Sequence, residues 1–209
     1  MDEEGVRDVA ILIFDAVEVL DFAGPFEVFS LAGRPDGASH FRVELVSPKR
    51  KVVETRGGLR VESNQAFAED GSGISTDVLV VPGGFGVRAL LGDPLVQRWV
   101  RESASTAEVT LSVCTGALLL ADAGLLRERR ATTHHDSIET LRELAPDARI
   151  EESVPWVDNG SIVTAGGIAS GIAASLHLVS RLCGEETARR AADYMEYEGW
   201  PPVSSPDPS

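Results

Sequence analysis

The sequence predicts an α/β fold built on a mainly parallel sheet covered by helices on both faces. Apolar, β-branched runs of strand length alternate with amphipathic helical segments along the chain, the pattern of parallel strands joined by crossover helices. The runs DVAILIF (8–14), DVLVV (77–81) and VTLSV (109–113) are apolar almost throughout, as strands buried on both faces are. Two of them end in small-residue turns, Pro-Gly-Gly and Cys-Thr-Gly, that open onto a following segment at one edge of the sheet. At 209 residues the chain suits one domain, assigned to 1–198, with GWPPVSSPDPS (199–209) as a loose tail.

The elements follow in order. Strand 8–14 is succeeded by a helix in PFEVFSLA (25–32), bracketed by Pro25 at its start and Gly33 after its end. FRVELVS (41–47) is a second strand, and KVVETRGGLRVES (51–63) is a hairpin turning through Gly57-Gly58. After strand 77–81, Asp93 caps a helix that starts at Pro94 and runs toward Glu102. Strand 109–113 leads into helix TGALLLADAG, stopped by Gly124. A short strand at ATT (131–133), a helix around DSIETLRELA (136–145), a hairpin at Asp158-Asn159-Gly160, strand SIVTA (161–165) and helices over 169–183 and 185–197 complete the chain.

Charge and composition exclude several function classes. With 33 acidic against 19 basic side chains the net charge is −14, which repels phosphate backbones and anionic lipid heads, so neither nucleic acid nor membrane is expected as a partner. The start, MDEEGVRD, lacks the basic and apolar stretches of a secretion signal, and a cytoplasmic location is expected. Two cysteines and four scattered histidines make no zinc pattern, so neither a disulfide nor a metal site is expected.

The chemistry lies in VTLSVCTGALLLADAGLL (109–126). A lone cysteine is most often a small buried hydrophobe, and Cys183, late in LHLVSRLCG, reads that way. Cys114 differs: strand, nucleophile, small residue, glycine, helix is the layout of a nucleophile elbow, which holds its side chain at the carboxyl edge where open α/β sheets bind ligands. The N–H groups that open the next helix favour a thiolate there. Asp21, in EVLDFAGPFEVF (18–29), follows the first strand to the same edge and reads either as a proton partner or as a cap carboxylate, with Glu18 as the alternative acid. Gly83 and Gly84 either bring bare N–H groups to developing negative charge or simply make a tight turn. His134 offers a further proton partner or a cap for DSIETL, and His177 reads as structural.

Together ILIFDAVEVLDFAGPFEVF, VVPGGFGVRALLGDP, SVCTGALLLADAGLL, RRATTHH, TAGGIASGIAASLHLV and MEYEGWPP, in this order over nearly the whole chain, resemble the ThiJ/PfpI superfamily of class I glutamine-amidotransferase-like proteins. The resemblance is narrower still to its isocyanide hydratase and AraC-type amidase-domain branch. It implies a flavodoxin-like three-layer sandwich, a homodimer, a reactive Cys114 and Asp21 set against it. It further implies a small-molecule lyase that hydrates an isocyanide to an N-substituted formamide, with Thr115, Gly83 and Gly84 orienting the intermediate and no metal or organic cofactor. The alternatives are a non-catalytic ligand or oxidative-stress sensor and, third, an amidase or glyoxalase-like enzyme using the same thiol.

The chain also departs from the pattern. Protease members are similar to one another in placing His after the nucleophilic Cys, where this chain has Thr115, which disfavours proteolysis. The usual Thr-Thr-His-Trp is Thr132-Thr133-His134-His135, and the hydratase pattern Gly-Ile-Asp is Gly171-Ile172-Ala173. The transcriptional relatives append a basic helix-turn-helix region, and the chain stops soon after Tyr197, so a regulator role would need a separate DNA-binding partner.

Overall fold

The structure, a computed structural model, describes residues 5–33, 37–49 and 52–200. The tail from 201 on, the first four residues and the start of the 51–63 hairpin lie outside them.

Strands β1 (Arg7–Leu12), β2 (Phe41–Ser47), β5 (Gln65–Ala66), β6 (Val78–Val81), β7 (Val109–Val113), β10 (Trp156–Asp158) and β11 (Ile162–Ala165) form one sheet in the order β10-β11-β7-β6-β1-β2-β5. Every pairing is parallel except β10–β11, the hairpin that turns through Asn159 and Gly160. The register aligns Val9 with Val43 and Val78, and Leu111 with Val80 and Val163, so the three central strands stack apolar side chains row on row. Ile11, Leu12, Leu79, Val80 and Leu111 are fully buried, which accounts for the continuous apolar runs.

Helices α1 (Val19–Leu31), α6 (Ser170–Cys183) and α7 (Glu185–Tyr194) cover one face. The other carries α2 (Val87–Leu90), α3 (Pro94–Thr106), α4 (Gly116–Asp122) and α5 (Ile138–Leu144), the last entered through a 3₁₀ turn at His135–Ser137. This is the flavodoxin-like three-layer sandwich. No helix among the described residues is long and apolar enough to cross a membrane. Asp93 caps α3 as expected, its Oδ1 accepting from the Leu95 N–H at 2.9 Å with Pro94 in the first turn.

Two expectations are corrected. The first helix starts at Val19 and contains Pro25 rather than starting with it. Proline there withholds the N–H that the Asp21 carbonyl would otherwise receive, and burial of Phe22, Pro25, Val28 and Phe29 against the sheet and α6 outweighs that loss. Second, the strand in ATT is Arg130–Ala131 (β8), and it pairs with Arg149–Ile150 (β9) in a separate parallel ribbon outside the main sheet. A further two-stranded ribbon, β3 (Val52–Glu54) with β4 (Arg60–Glu62), is the expected hairpin.

Candidate active site

Cys114 follows β7 by one residue and precedes α4 by two, and it holds φ at 55°, in the left-handed region. A side chain with a Cβ pays roughly 1–3 kcal/mol for that conformation and keeps it only where neighbours over-determine it. Here they do: the Cys114 N–H donates to Gly166 O at 2.8 Å and Ala165 O at 3.2 Å, and the Cys114 carbonyl accepts from Thr133 Oγ1 at 2.7 Å. Gly116 lets the elbow close onto β6, since a Cβ there would sit 1.9 Å from the Val81 carbonyl oxygen. The elbow is therefore real, but its thiol is not presented to solvent: Cys114 is only 6% exposed.

Asp21 lies in the first turn of α1, fully buried. Its Oδ2 accepts the Gly83 N–H at 3.0 Å, while Oδ1, equally buried, has no hydrogen-bond partner. The strand order explains the reach. β1 and β7 are not neighbours; β6 runs between them, and the Pro-Gly-Gly that follows β6 is where the two segments meet. A Cβ on Gly83 would lie 2.5 Å from Thr115 N and Oγ1 and 3.0 Å from Asp21 Oδ2, so glycine is the residue that lets the carboxyl side and the elbow side converge.

The two acids act on each other. Burial pushes the Asp21 carboxyl up to about 7, with the Gly83 N–H partly opposing it, the charge of Glu18 adding to it, and contact with Cys114 opposing it again. Burial also pushes the Cys114 thiol up to about 12, helped by the charge of Asp21, while the Thr115 N–H pulls the other way. The expectation that the helix start would lower the thiol is thus overturned: the Thr115 N–H favours the thiolate, but desolvation and the neighbouring carboxylate win. At neutral pH the thiol keeps its proton, and the pair carries at most one negative charge, on Asp21.

Gly83 and Gly84 do not stand open to a ligand. The Gly83 N–H is donated to Asp21, and the Gly84 N–H to Thr115 Oγ1 at 2.9 Å, with the Thr115 hydroxyl 3.3 Å from the Gly84 carbonyl. Both N–H groups hold the site's side chains instead of serving as free anion donors. Glu18 caps nothing with its side chain; it pairs with Arg56 at 2.9 Å, and that guanidinium lies 4.3 Å above the Phe85 ring. His134 is a cap, its Nδ1 accepting from the Asp136 N–H at 3.3 Å, and it is absent from the groups that shift Asp21 or Cys114. His134, His135 and Asp136 bring ligand atoms within 4.8 Å of one another, on a turn where the last two are exposed. His177 is structural, with Nε2 2.7 Å from Asp158 Oδ2. The sequence shows Thr133 only as part of the Thr-Thr-His-His stretch, with no local signal for its role, yet its hydroxyl and not the neighbouring His134 carries the contact to Cys114. Cys183, the last residue of α6, is half-buried and, like Cys114, outside any disulfide.

A parallel α/β sandwich with a strained cysteine elbow and a buried carboxyl beside it defines a cysteine-elbow α/β protein. The chain belongs to the DJ-1/PfpI family, which it matches over residues 7–181. It is 37% identical over 203 residues to the isonitrile hydratase of Pseudomonas putida, spanning 96% of this chain and 82% of that one. It is 29% identical over 187 residues to the HTH-type transcriptional regulator CdhR of Pseudomonas aeruginosa, covering 90% of this chain and about half, 54%, of the regulator. Its fold superposes on a crystal structure of a THiJ/PfpI family protein from Pseudomonas syringae with a TM-score of 0.81 at 25% identity, over 97% of this chain and 79% of that one.

Proposed function

We propose that the protein is a cysteine-dependent hydro-lyase that adds water to an isocyanide, giving an N-substituted formamide, and that it works as a cytoplasmic homodimer. The observation that carries the reading is the buried Asp21 carboxyl beside the Cys114 elbow, with one of its oxygens left without a hydrogen-bond partner. The similarity to an isonitrile hydratase over 96% of the chain supports it.

An isocyanide carbon is attacked by a nucleophile and protonated in the same place. With Asp21 ionised, its carboxylate takes the thiol proton as sulfur bonds to the terminal carbon, and the resulting acid delivers that proton to the carbon, leaving a thioimidate, R–N=CH–S–Cys. Water then adds across the C=N bond, Asp21 relaying a proton to nitrogen. The tetrahedral adduct collapses to R–NH–CHO and expels the Cys114 sulfur, which regains its proton. Asp21 Oδ1, buried and without a partner, is the oxygen free for this shuttle. Thr115, tied to Gly84, holds the elbow against the glycine turn.

Leu20 and Leu59 are exposed apolar side chains on the segments that carry Glu18 and Arg56, Phe85, on the turn after β6, is exposed beneath the Arg56 guanidinium, and the three support a second copy packing beside the site. Sedimentation at micromolar concentration tests the dimer independently of the chemistry. The function is tested with a panel of isocyanides, methylglyoxal and short peptides, followed by product analysis and intact-mass detection of a Cys114 adduct. Formamide from isocyanides, lost in Cys114→Ser, is the expected result. Turnover of methylglyoxal alone would replace the reading with a glyoxalase-like one, and uptake of two oxygens from peroxide with no turnover of any substrate would replace it with a sensor.

A further inference from the structure

The strain at Cys114 is held from a direction that the proton shuttle does not use. Thr133, 3% exposed, donates its hydroxyl to the Cys114 carbonyl at 2.7 Å. Thr133 is itself anchored one residue back, where the Thr132 N–H donates to Thr164 Oγ1 at 2.9 Å inside β11, and Thr164 is fully buried. The residue after Thr164, Ala165, and the next, Gly166, accept the Cys114 N–H. Both peptide groups that flank the cysteine are therefore fastened to one rigid strand end, the N–H directly and the C=O through two threonines.

A peptide unit is planar, so fixing the Cys114 C=O fixes the Thr115 N–H at its other end. That N–H is the backbone donor that favours negative charge on the Cys114 sulfur. A hydrogen bond into the carbonyl also polarises the same peptide and strengthens what its N–H donates. We propose that Thr133 is a positioning residue for Cys114: its hydroxyl clamps the Cys114–Thr115 peptide so that the Thr115 N–H stays aimed at the developing thiolate. The inference rests on Cys114 being the reacting group, and it adds to that reading a residue outside the elbow and outside the acid pair. Asp21 and Glu18 are the charged groups that act on the sulfur, and neither is altered when Thr133 is changed.

The test is the rate of Cys114 alkylation by iodoacetamide from pH 6 to pH 10, resolved from Cys183 by peptide mass spectrometry, in the parent and in Thr133→Val, Thr133→Ala and Thr133→Ser. Removing the hydroxyl should slow labelling by roughly three- to ten-fold and displace the rate–pH curve toward higher pH. Thr133→Ser should restore the parent curve, which a purely space-filling role would not require. With an active substrate in hand, kcat should fall in the Val and Ala variants with KM little changed. Parent-like curves in folded Val and Ala variants would overturn the proposal. So would failure of both to fold while Ser folds, since the hydroxyl would then be holding the fold and not aiming a donor. A parent enzyme whose Cys114 resists alkylation across the range would instead undercut the functional reading itself.

Discussion

The backbone N–H of Gly83 donates to Asp21 Oδ2 across 3.0 Å, and this one bond joins the helix after β1 to the turn after β6 at the point where the elbow after β7 closes from the other side. It holds one carboxyl oxygen and leaves the other buried and unpaired, which is the oxygen that the proposed proton shuttle would use.

The acid limb of the pH profile should follow Asp21. Its carboxyl must be ionised to take the thiol proton, and burial has pushed it up to about 7, so kcat/KM should rise with pH and level off above neutrality. Asp21→Asn should remove that limb together with at least about 100-fold of the activity. An unchanged limb in Asp21→Asn would move the proton role to Glu18.

The same shift makes Asp21 a stability cost. A carboxyl raised on folding favours the protonated native state, so its contribution is present below the unfolded value near 3.8 and is lost as pH climbs toward 7. At about 1.4 kcal/mol per unit, the roughly three-unit rise amounts to a penalty of up to ~4 kcal/mol above neutral pH. Asp21→Asn should therefore melt higher than the parent at pH 8, with the gap closing by pH 4; thermal denaturation at the two pH values checks this.

Asp158 runs in the opposite sense. Burial alone would raise it, but the His177 ring, the Gly160 N–H and Arg181 bring it down to about 2. A lowered carboxyl stabilises above its unfolded pKa and loses that contribution as pH falls through the native one. Asp158→Asn should cost about 1–2 kcal/mol at pH 7 after allowance for solvent screening, and the difference from the parent should shrink between pH 4 and pH 2 in urea melts.

Gly116→Ala should cripple the fold. The added methyl would meet the Val81 carbonyl at 1.9 Å and the Pro82 carbonyl at 2.9 Å, backbone atoms of a central strand end that cannot turn away. A loss of more than about 3 kcal/mol is expected. Alanine at Gly124 meets nothing within 4 Å and suffers only from the positive φ of 77°, so it should cost about 1 kcal/mol.

The local patterns that the sequence carries determined a good deal by themselves. Continuous apolar runs such as DVLVV and VTLSV require strands covered on both faces, and the Val-Cys-Thr-Gly junction requires a sharp turn between strand and helix, because both follow from neighbours along the chain. Asp21 and Cys114 were legible as candidates for the same reason: each follows a parallel strand to the same edge. What the tertiary structure decided is everything that depends on order across the sheet and on the removal of water. Placing β6 between β1 and β7 makes Gly83 the meeting point, consumes the Gly83 and Gly84 N–H groups, and leaves His134 as a cap while Thr133 reaches the cysteine. Burial then reverses the local expectation for the thiol, since desolvation and a carboxylate from a distant segment outweigh one backbone N–H contributed by the adjacent residue. A window of sequence records the donor beside a group, but the burial around the thiol and the charge opposite it, from Asp21 and Glu18, come from segments that lie far away along the chain.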